Sequence, residues 1–141
     1  MCQIFIIIIC ISFYFTEMCT PSDWVYFNNS CFKVFKEELN WFDAHRSCTS
    51  NKSTLTSIHS AEENNFLRKT GQASISSAWI GLFNLNSTDR SYEWADGSMV
   101  DYNAYSVENC TELYVNWNRG KWNDNSCYSK RAYVCGKKLS P

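Results

Sequence analysis

Apolar residues recur at two spacings along this chain, and the change from one to the other divides it. In residues 40–48, "NWFDAHRSC", Trp41, Ala44, His45 and Cys48 fall at i, i+3, i+4 and i+7. That spacing predicts a helix with one inward stripe, and Asn40 is placed to cap it. Residues 60–69, "SAEENNFLRK", open with Ser60 followed by Glu63, the arrangement of a capping box. A second helix is expected there, with a thin apolar face of Phe66 and Leu67. Before these helices, residues 24–35 carry two aromatic, β-branched runs around Asn28-Asn29, which predicts a hairpin. Residues 54–58 read as a short strand. After Gly71 the pattern turns to β. Strands are expected at 78–82, 92–97, 110–117, 120–122 and 131–135, with Asn118-Arg119-Gly120 as a turn. Residues 98–109 have little pattern and read as a long loop, the kind of segment that carries function on a rigid scaffold.

The first fifteen residues, "MCQIFIIIICISFYF", hold no charge, and the run from Ile4 to Phe15 is short for a membrane span. It suits a secretory leader, although no Lys or Arg precedes it, with an uncleaved membrane anchor as the alternative. The expected organisation is a signal peptide at 1–18, one domain at 19–138 and a tail at 139–141. With the leader cleaved, no membrane insertion is expected and the protein is extracellular. Removing the leader removes Cys2 and Cys10 and leaves six cysteines, at 19, 31, 48, 110, 127 and 135. An even number in a secreted domain reads as three disulfides, with fifteen connectivities open. A zinc site is a poor alternative, because no C-x-x-C pair occurs and there are only two histidines. Asn28, Asn51 and Asn86 each begin a glycosylation triplet. Asn109 begins another, but its neighbour Cys110 is expected in a bridge.

Charge adds an exclusion. Thirteen basic and fourteen acidic residues are spread along the chain for a net charge of −1, so no basic stripe invites nucleic acid. Aromatic residues make up 16% of the chain, which favours a packed domain over disorder. Catalysis finds no anchor. Every cysteine of the mature chain is committed to a bridge. His45 lies on a buried stripe and His59 precedes a helix cap. "HSAEE" lacks the second histidine of a zinc-hydrolase motif.

Four markers in order, "WIGL" at 79–82, "WADGS" at 94–98, "WND" at 122–124 and the cysteine series, resemble the C-type lectin-like domain. The resemblance spans Cys19 to Lys138. It implies an α+β fold of two helices with small antiparallel sheets and a shortened long loop. It implies bridges Cys48–Cys135, Cys110–Cys127 and Cys19–Cys31, the last being the extra N-terminal bridge of the long form. Many members bind sugars through calcium, an ion that takes six to eight oxygen ligands. By position in the motifs, Asn123 and Asp124 match a ligand pair, and Glu108, two residues before Cys110, matches a further carboxylate. Sugar-binding members also carry Glu-Pro-Asn or Gln-Pro-Asp in the loop. Here the only prolines are Pro21 and Pro141, and none lies among residues 95–109. Asp101 and Asn103 bear oxygens in that loop, at a spacing that does not match. Trp117 is the expected exposed stacking residue, flanked by Tyr102 and Tyr105, while Trp41, Trp79, Trp94 and Trp122 are assigned to the core. The sequence thus reads as a secreted, non-enzymatic recognition module. Carbohydrate binding through a degenerate calcium site of Glu108, Asn123, Asp124 and Trp117 is the first reading. Calcium-independent protein binding is the alternative.

Overall fold

The computed structural model describes residues 19–21, 23–71, 74–86, 91–102, 109–116 and 120–140. The expected leader, Asn103, Tyr105, Glu108, Trp117 and the turn residues Asn118 and Arg119 lie outside them.

The N-terminal hairpin forms as the pattern predicts. β1 (Val25–Phe27) and β2 (Ser30–Leu39) pair antiparallel, and Asn28 (φ 45°) and Asn29 (φ 61°) make the two-residue turn between them. Positive φ at both central residues matches the right-handed twist of the flanking strands, and Asn tolerates it better than most residues. β2 runs four residues beyond the expected end. Its last stretch, "KEEL", has three exposed charged residues before the partly buried Leu39, so it carries no apolar alternation.

Helix α1 (Trp41–Ser50) follows at once. The Asn40 side chain caps it by accepting from the Asp43 amide at 2.9 Å, and Trp41, Ala44 and Cys48 are buried as the stripe requires. Half-buried His45 stacks on Trp41, with ring centroids 5.6 Å apart, and burial holds its pKa below the ordinary value. The expected strand at 54–58 is regular only over β3 (Thr54–Leu55). Helix α2 (Ala61–Gly71) has Ser60 Oγ accepting from the Glu63 amide at 3.1 Å. The Glu63 carboxylate does not close the expected box on Ser60. It reaches one residue further back, to the amide of His59, at 2.7 Å. The thin apolar face is real: Leu67 is buried and Phe66 stacks on Phe27, and the buried side includes the polar Glu63 and Asn64.

The remaining strands are β4 (Ser77–Phe83), β5 (Glu93–Trp94), β6 (Cys110–Tyr114), β7 (Trp122–Asn125) and β8 (Arg131–Lys138). β5 and β6 are shorter than expected, and β7 starts where the expected 120–122 strand ends. Among the described residues the strands join into one sheet in the order β1-β2-β8-β4-β6-β7, with β3 added to β8 and β5 to β4. Among the described residues only the β4–β8 pair is parallel. The fold is α+β, with the first hairpin clasping the last strand. β4 lies between β8 and β6, and its five middle residues are all buried. Gly81 within it is required by close approach, because a Cβ there would meet the Leu55 carbonyl oxygen at 2.4 Å.

Trp41, Trp79, Trp94 and Trp122 are all buried, as assigned. The indole N–H groups of Trp41 and Trp79 donate to the carbonyls of Ile80 and Leu39, both at 2.9 Å, which removes the cost of burying them. Three disulfides join Cys19–Cys31, Cys48–Cys135 and Cys110–Cys127, the pairing the resemblance implies. The second ties α1 to β8. The third ties the start of β6 to the chain just beyond β7.

Candidate functional site

The expected ligand pair Asn123–Asp124 lies in β7, an edge strand of the sheet. β7 pairs antiparallel with β6 in the register Thr111↔Asp124, Glu112↔Asn123 and Leu113↔Trp122. Side chains alternate across a strand, so neighbours in sequence face opposite sides. Asn123 and Asn125 share a face with Glu112. Asp124 shares the other face with Trp122.

The first face is organised by a buried carboxylate. Glu112 is only 2% exposed. Its Oε1 accepts from Nδ2 of Asn123 and of Asn125, each at 3.0 Å. Its Oε2 accepts from Ser77 Oγ and from Arg131 Nε, each at 2.7 Å. Burial alone would raise the Glu112 pKa. The bonds from Ser77, Asn125, Arg131 and Asn123 outweigh burial and hold it below the usual carboxylate range. The charge is therefore fixed, neutralised and turned inward.

This arrangement bears directly on calcium. Asn123 Nδ2 also donates to the Asp124 carbonyl at 2.9 Å, so both amide hydrogens are spent inside the domain. Neither remains for a sugar hydroxyl, and the Asn123 amide offers only its Oδ1. The Asp124 carboxylate has no hydrogen-bond partner among the described residues. The described part of the expected site thus supplies two oxygen-bearing side chains toward a shell of six to eight, and among the described residues no three acidic, His or Cys side chains are grouped to hold a metal. This donor set does not by itself fit a calcium ion. Glu108 and Trp117, the other expected members, lie outside the described residues.

The second face is aromatic. Trp94 meets Trp122 edge-on at 5.5 Å, and Tyr102 meets it edge-on at 5.6 Å. Tyr102, expected to flank the site, is therefore packed partly against the core. The Trp122 indole N–H donates to Asn64 Oδ1 at 2.8 Å, and Asn64 Nδ2 donates to the Gly120 carbonyl at 2.7 Å. A buried amide on α2 thereby fixes both the floor of this face and the turn residue Gly120, whose φ is 84°.

A third group of side chains lies where "WADGS" turns. Asp96 Oδ1 accepts from the Ser98 amide at 2.9 Å and from Ser98 Oγ at 2.5 Å, and its Oδ2 accepts from Ser57 Oγ at 2.5 Å. Burial would raise the Asp96 pKa, but these bonds and the nearby His59 lower it. His59 Nδ1 lies 2.6 Å from Asp101 Oδ1, and His59 Nε2 lies 3.1 Å from Ser98 Oγ. The bond from His59 holds the Asp101 carboxyl below its ordinary range. Asp101 is thus committed to an imidazole rather than offered as a loose oxygen donor. The cluster borders a cavity of about 470 Å³ between the N-terminal end of α2, the 96–98 turn and β8. Ser98, His59 and Asp101 share the connectivity of a hydrolase triad, but the chemistry does not follow. The Ser98 hydroxyl is the donor to Asp96, and its amide is spent on the same carboxylate. Neither an activated hydroxyl nor an oxyanion donor results.

Glu112, Arg131, Asn64 and the Asp96–Ser98–His59 cluster are not among the residues that the sequence singles out for a site. One signal points to the first: "CTELY" places a charge on a strand that is otherwise apolar or bridged. The others are polar residues whose partners are distant in sequence, such as Asn64 and Trp122.

The geometry agrees with what known proteins show. A family model, the Lectin C-type domain, matches residues 37–137. The chain is 35% identical over 127 residues to Snaclec bitiscetin subunit alpha of Bitis arietans, covering 86% of this chain and 96% of that protein. It is 34% identical over 122 residues to Snaclec 3 of Daboia siamensis, covering 83% of this chain and 80% of that protein. Among solved structures it resembles the C-type carbohydrate-recognition domain of cow CD23, solved in the presence of a GlcNAc2Man3 oligosaccharide. The TM-score is 0.75 at 30% identity, over 87% of this chain and 98% of that one. The match to the Lectin C-type domain over residues 37–137, with relatives of this identity and coverage, shows that the chain is a member of the C-type lectin-like domain family.

Proposed function

We propose that this domain is a secreted, non-enzymatic recognition module that binds a protein ligand without calcium. One observation carries the reading. The buried Glu112 carboxylate and the Asp124 carbonyl consume both amide hydrogens of Asn123, and Glu112 also takes one from Asn125. With both of its hydrogens turned inward, the Asn123 amide has no donor left to grip a sugar. The proline-free loop points the same way, since no Glu-Pro-Asn or Gln-Pro-Asp is present to supply further ligands. The ranking that the sequence suggests is therefore reversed. Residues 1–18 serve as the leader in this reading. Asn28, Asn51 and Asn86, all exposed, are open to glycosylation. Trp117 is the anchor for the partner.

A specific observation favours the second reading, a carbohydrate bound through calcium at Glu108, Asn123 and Asp124 with Trp117 stacking on the ring. It is the Asp124 carboxylate, which has no hydrogen-bond partner among the described residues. The CD23 domain, crystallised with an oligosaccharide, keeps this reading in play.

A glycan array probed with the domain from Cys19 onward, in calcium and in EDTA, separates the two. Protein recognition without calcium predicts no calcium-dependent glycan signal. A signal that EDTA removes, and that Asp124→Asn abolishes, would establish the lectin reading instead.

A further inference from the structure

Three strands place one patch of the sheet under a cavity. Ser30 of β2 lies opposite Lys138 of β8, and Gly136 of β8 lies between Phe32 of β2 and Thr54 of β3. Opposed residues share a face, and so do residues two apart on one strand. Ser30, Phe32, Thr54, Gly136 and Lys138 therefore form one surface, and all five line the cavity of about 470 Å³ beside the 96–98 turn. Lys52 joins them from the end of α1. Its φ of 54° follows the C-cap Asn51, a place where glycine is the usual residue and a lysine is strained. Neither Asn123 nor Asp124 lines this cavity.

The charges around it are unevenly spent. Asp96 accepts from Ser57 and twice from Ser98, and Glu63 accepts from the His59 amide. Lys137 donates to the Thr20 carbonyl at 2.6 Å and lies over the Trp24 ring. Lys52 and Lys138 are exposed, and neither makes an ion pair or a side-chain hydrogen bond among the described residues. The Ser30 and Thr54 hydroxyls are likewise without a partner among those residues. The unspent groups are thus two ammoniums, which only donate, and two hydroxyls, which donate and accept. The ammoniums suit an anion. The space exceeds what a bare ion needs and falls in the range of roughly 300–1,000 Å³ typical of small-ligand sites. Phe32 and Gly136 add an apolar strip, which suits the C–H face of a sugar ring.

We propose that this cavity is a binding site for a sugar ring that carries a carboxylate or a sulfate. Lys52 and Lys138 take the anionic group, and Ser30 and Thr54 take ring hydroxyls. The site draws on none of the residues of the edge-strand site and does not rest on the proposed function.

The test is titration of the isotope-labelled domain from Cys19 onward, without calcium, with glucuronate, sulfated glucose, glucose and inorganic sulfate, read by amide chemical shifts. At least one of the two acidic sugars should shift the Thr54 and Lys138 amides and bind about tenfold more tightly than glucose or inorganic sulfate, the scale of one charge-assisted hydrogen bond. A response to glucuronate alone assigns the carboxylate, and a response to sulfated glucose alone assigns the sulfate. Lys52→Gln and Lys138→Gln should each weaken binding about threefold to fivefold, as an exposed ion pair allows. Lys36→Gln, at an exposed lysine outside the cavity, should change nothing. Glucose binding as tightly as the acids would overturn the role of charge. Inorganic sulfate binding as tightly would reduce the cavity to an ion site and overturn the sugar. No shift with either acid, shifts at Asn123 and Asp124 in place of the cavity, or an equal loss in Lys36→Gln would overturn the proposal outright. Any of these failures leaves calcium-independent protein binding standing. A calcium-dependent signal on the glycan array would overturn that reading without touching the cavity.

Discussion

The indole N–H of Trp122 donates to Oδ1 of Asn64 at 2.8 Å, joining the edge strand β7 to the middle of α2. Asn64 is buried, and its amide nitrogen is used as well, on the Gly120 carbonyl at 2.7 Å. One side chain thus satisfies a buried donor and a buried acceptor at the base of the proposed recognition face. Replacing it with an apolar residue removes both bonds and leaves both partners wanting. Asn64→Leu should destabilise the domain by about 2–3 kcal/mol in urea unfolding. The neighbouring Asn65 is exposed, so Asn65→Ala should change stability by less than about 0.5 kcal/mol. Equal effects at the two positions would show that the Asn64 bonds carry no weight.

Glu112 gives stability a dependence on acid. Its folded-state pKa lies below the ordinary value of 4.5, so the folded domain holds the carboxylate ionised where the unfolded chain begins to protonate it. Its contribution is full above about pH 4.5 and is lost as the pH falls through the folded value. The stability difference between wild type and Glu112→Gln should be largest at pH 7 and shrink steadily toward pH 3. A difference that stays constant over this range would contradict the inward-facing charge.

Arg131 should show the other half of that relationship. Breaking a buried pair costs about 3–5 kcal/mol, but the Arg131 side chain is 33% exposed, so solvent screens part of the interaction. Arg131→Met should cost about 1–3 kcal/mol, and Glu112→Gln should recover part of that loss in the double variant. Strict additivity of the two substitutions in a double-mutant cycle would deny the coupling.

The two bridges of the domain proper close very different loops. Cys48 and Cys135 are 87 residues apart, and Cys110 and Cys127 are 17 apart. Limiting the unfolded chain stabilises more for the longer loop, by roughly 1–2 kcal/mol on chain-entropy grounds. Replacing Cys48 and Cys135 together by Ser should therefore lower the midpoint of thermal unfolding further than replacing Cys110 and Cys127. The reverse order would mean that strain or residual structure, and not loop length, dominates.

The readable parts of the fold are those in which local pattern and tertiary role agree. The stripe Trp41, Ala44 and Cys48 is buried because helix spacing and core position coincide. Asn28-Asn29 is a hairpin turn because the residues suit the backbone it needs. The rest depends on partners distant in the chain. "KEEL" becomes strand because β8 lies beside it, although its three charged side chains face water. Residues 122–125 read locally as a turn or as two adjacent ion ligands. Pairing with β6 makes them a strand, and the period of two then sends Asn123 to Glu112 and Asp124 to the opposite face. Asn64 reads locally as part of the polar surface of a weakly amphipathic helix. Its burial follows from a tryptophan 58 residues away that needs an acceptor. The motifs thus locate the candidate site, but only the sheet register discloses how its amides are spent.

Thermal unfolding of the domain from Cys19 onward, in millimolar calcium and then in EDTA, tests the proposed function most directly. With only the Asn123 and Asp124 side chains to offer an ion among the described residues, against the six to eight oxygens calcium takes, the two midpoints should coincide. A midpoint raised by calcium in the wild type and unchanged by calcium in Asp124→Asn would contradict the proposal and place the ion on the edge strand.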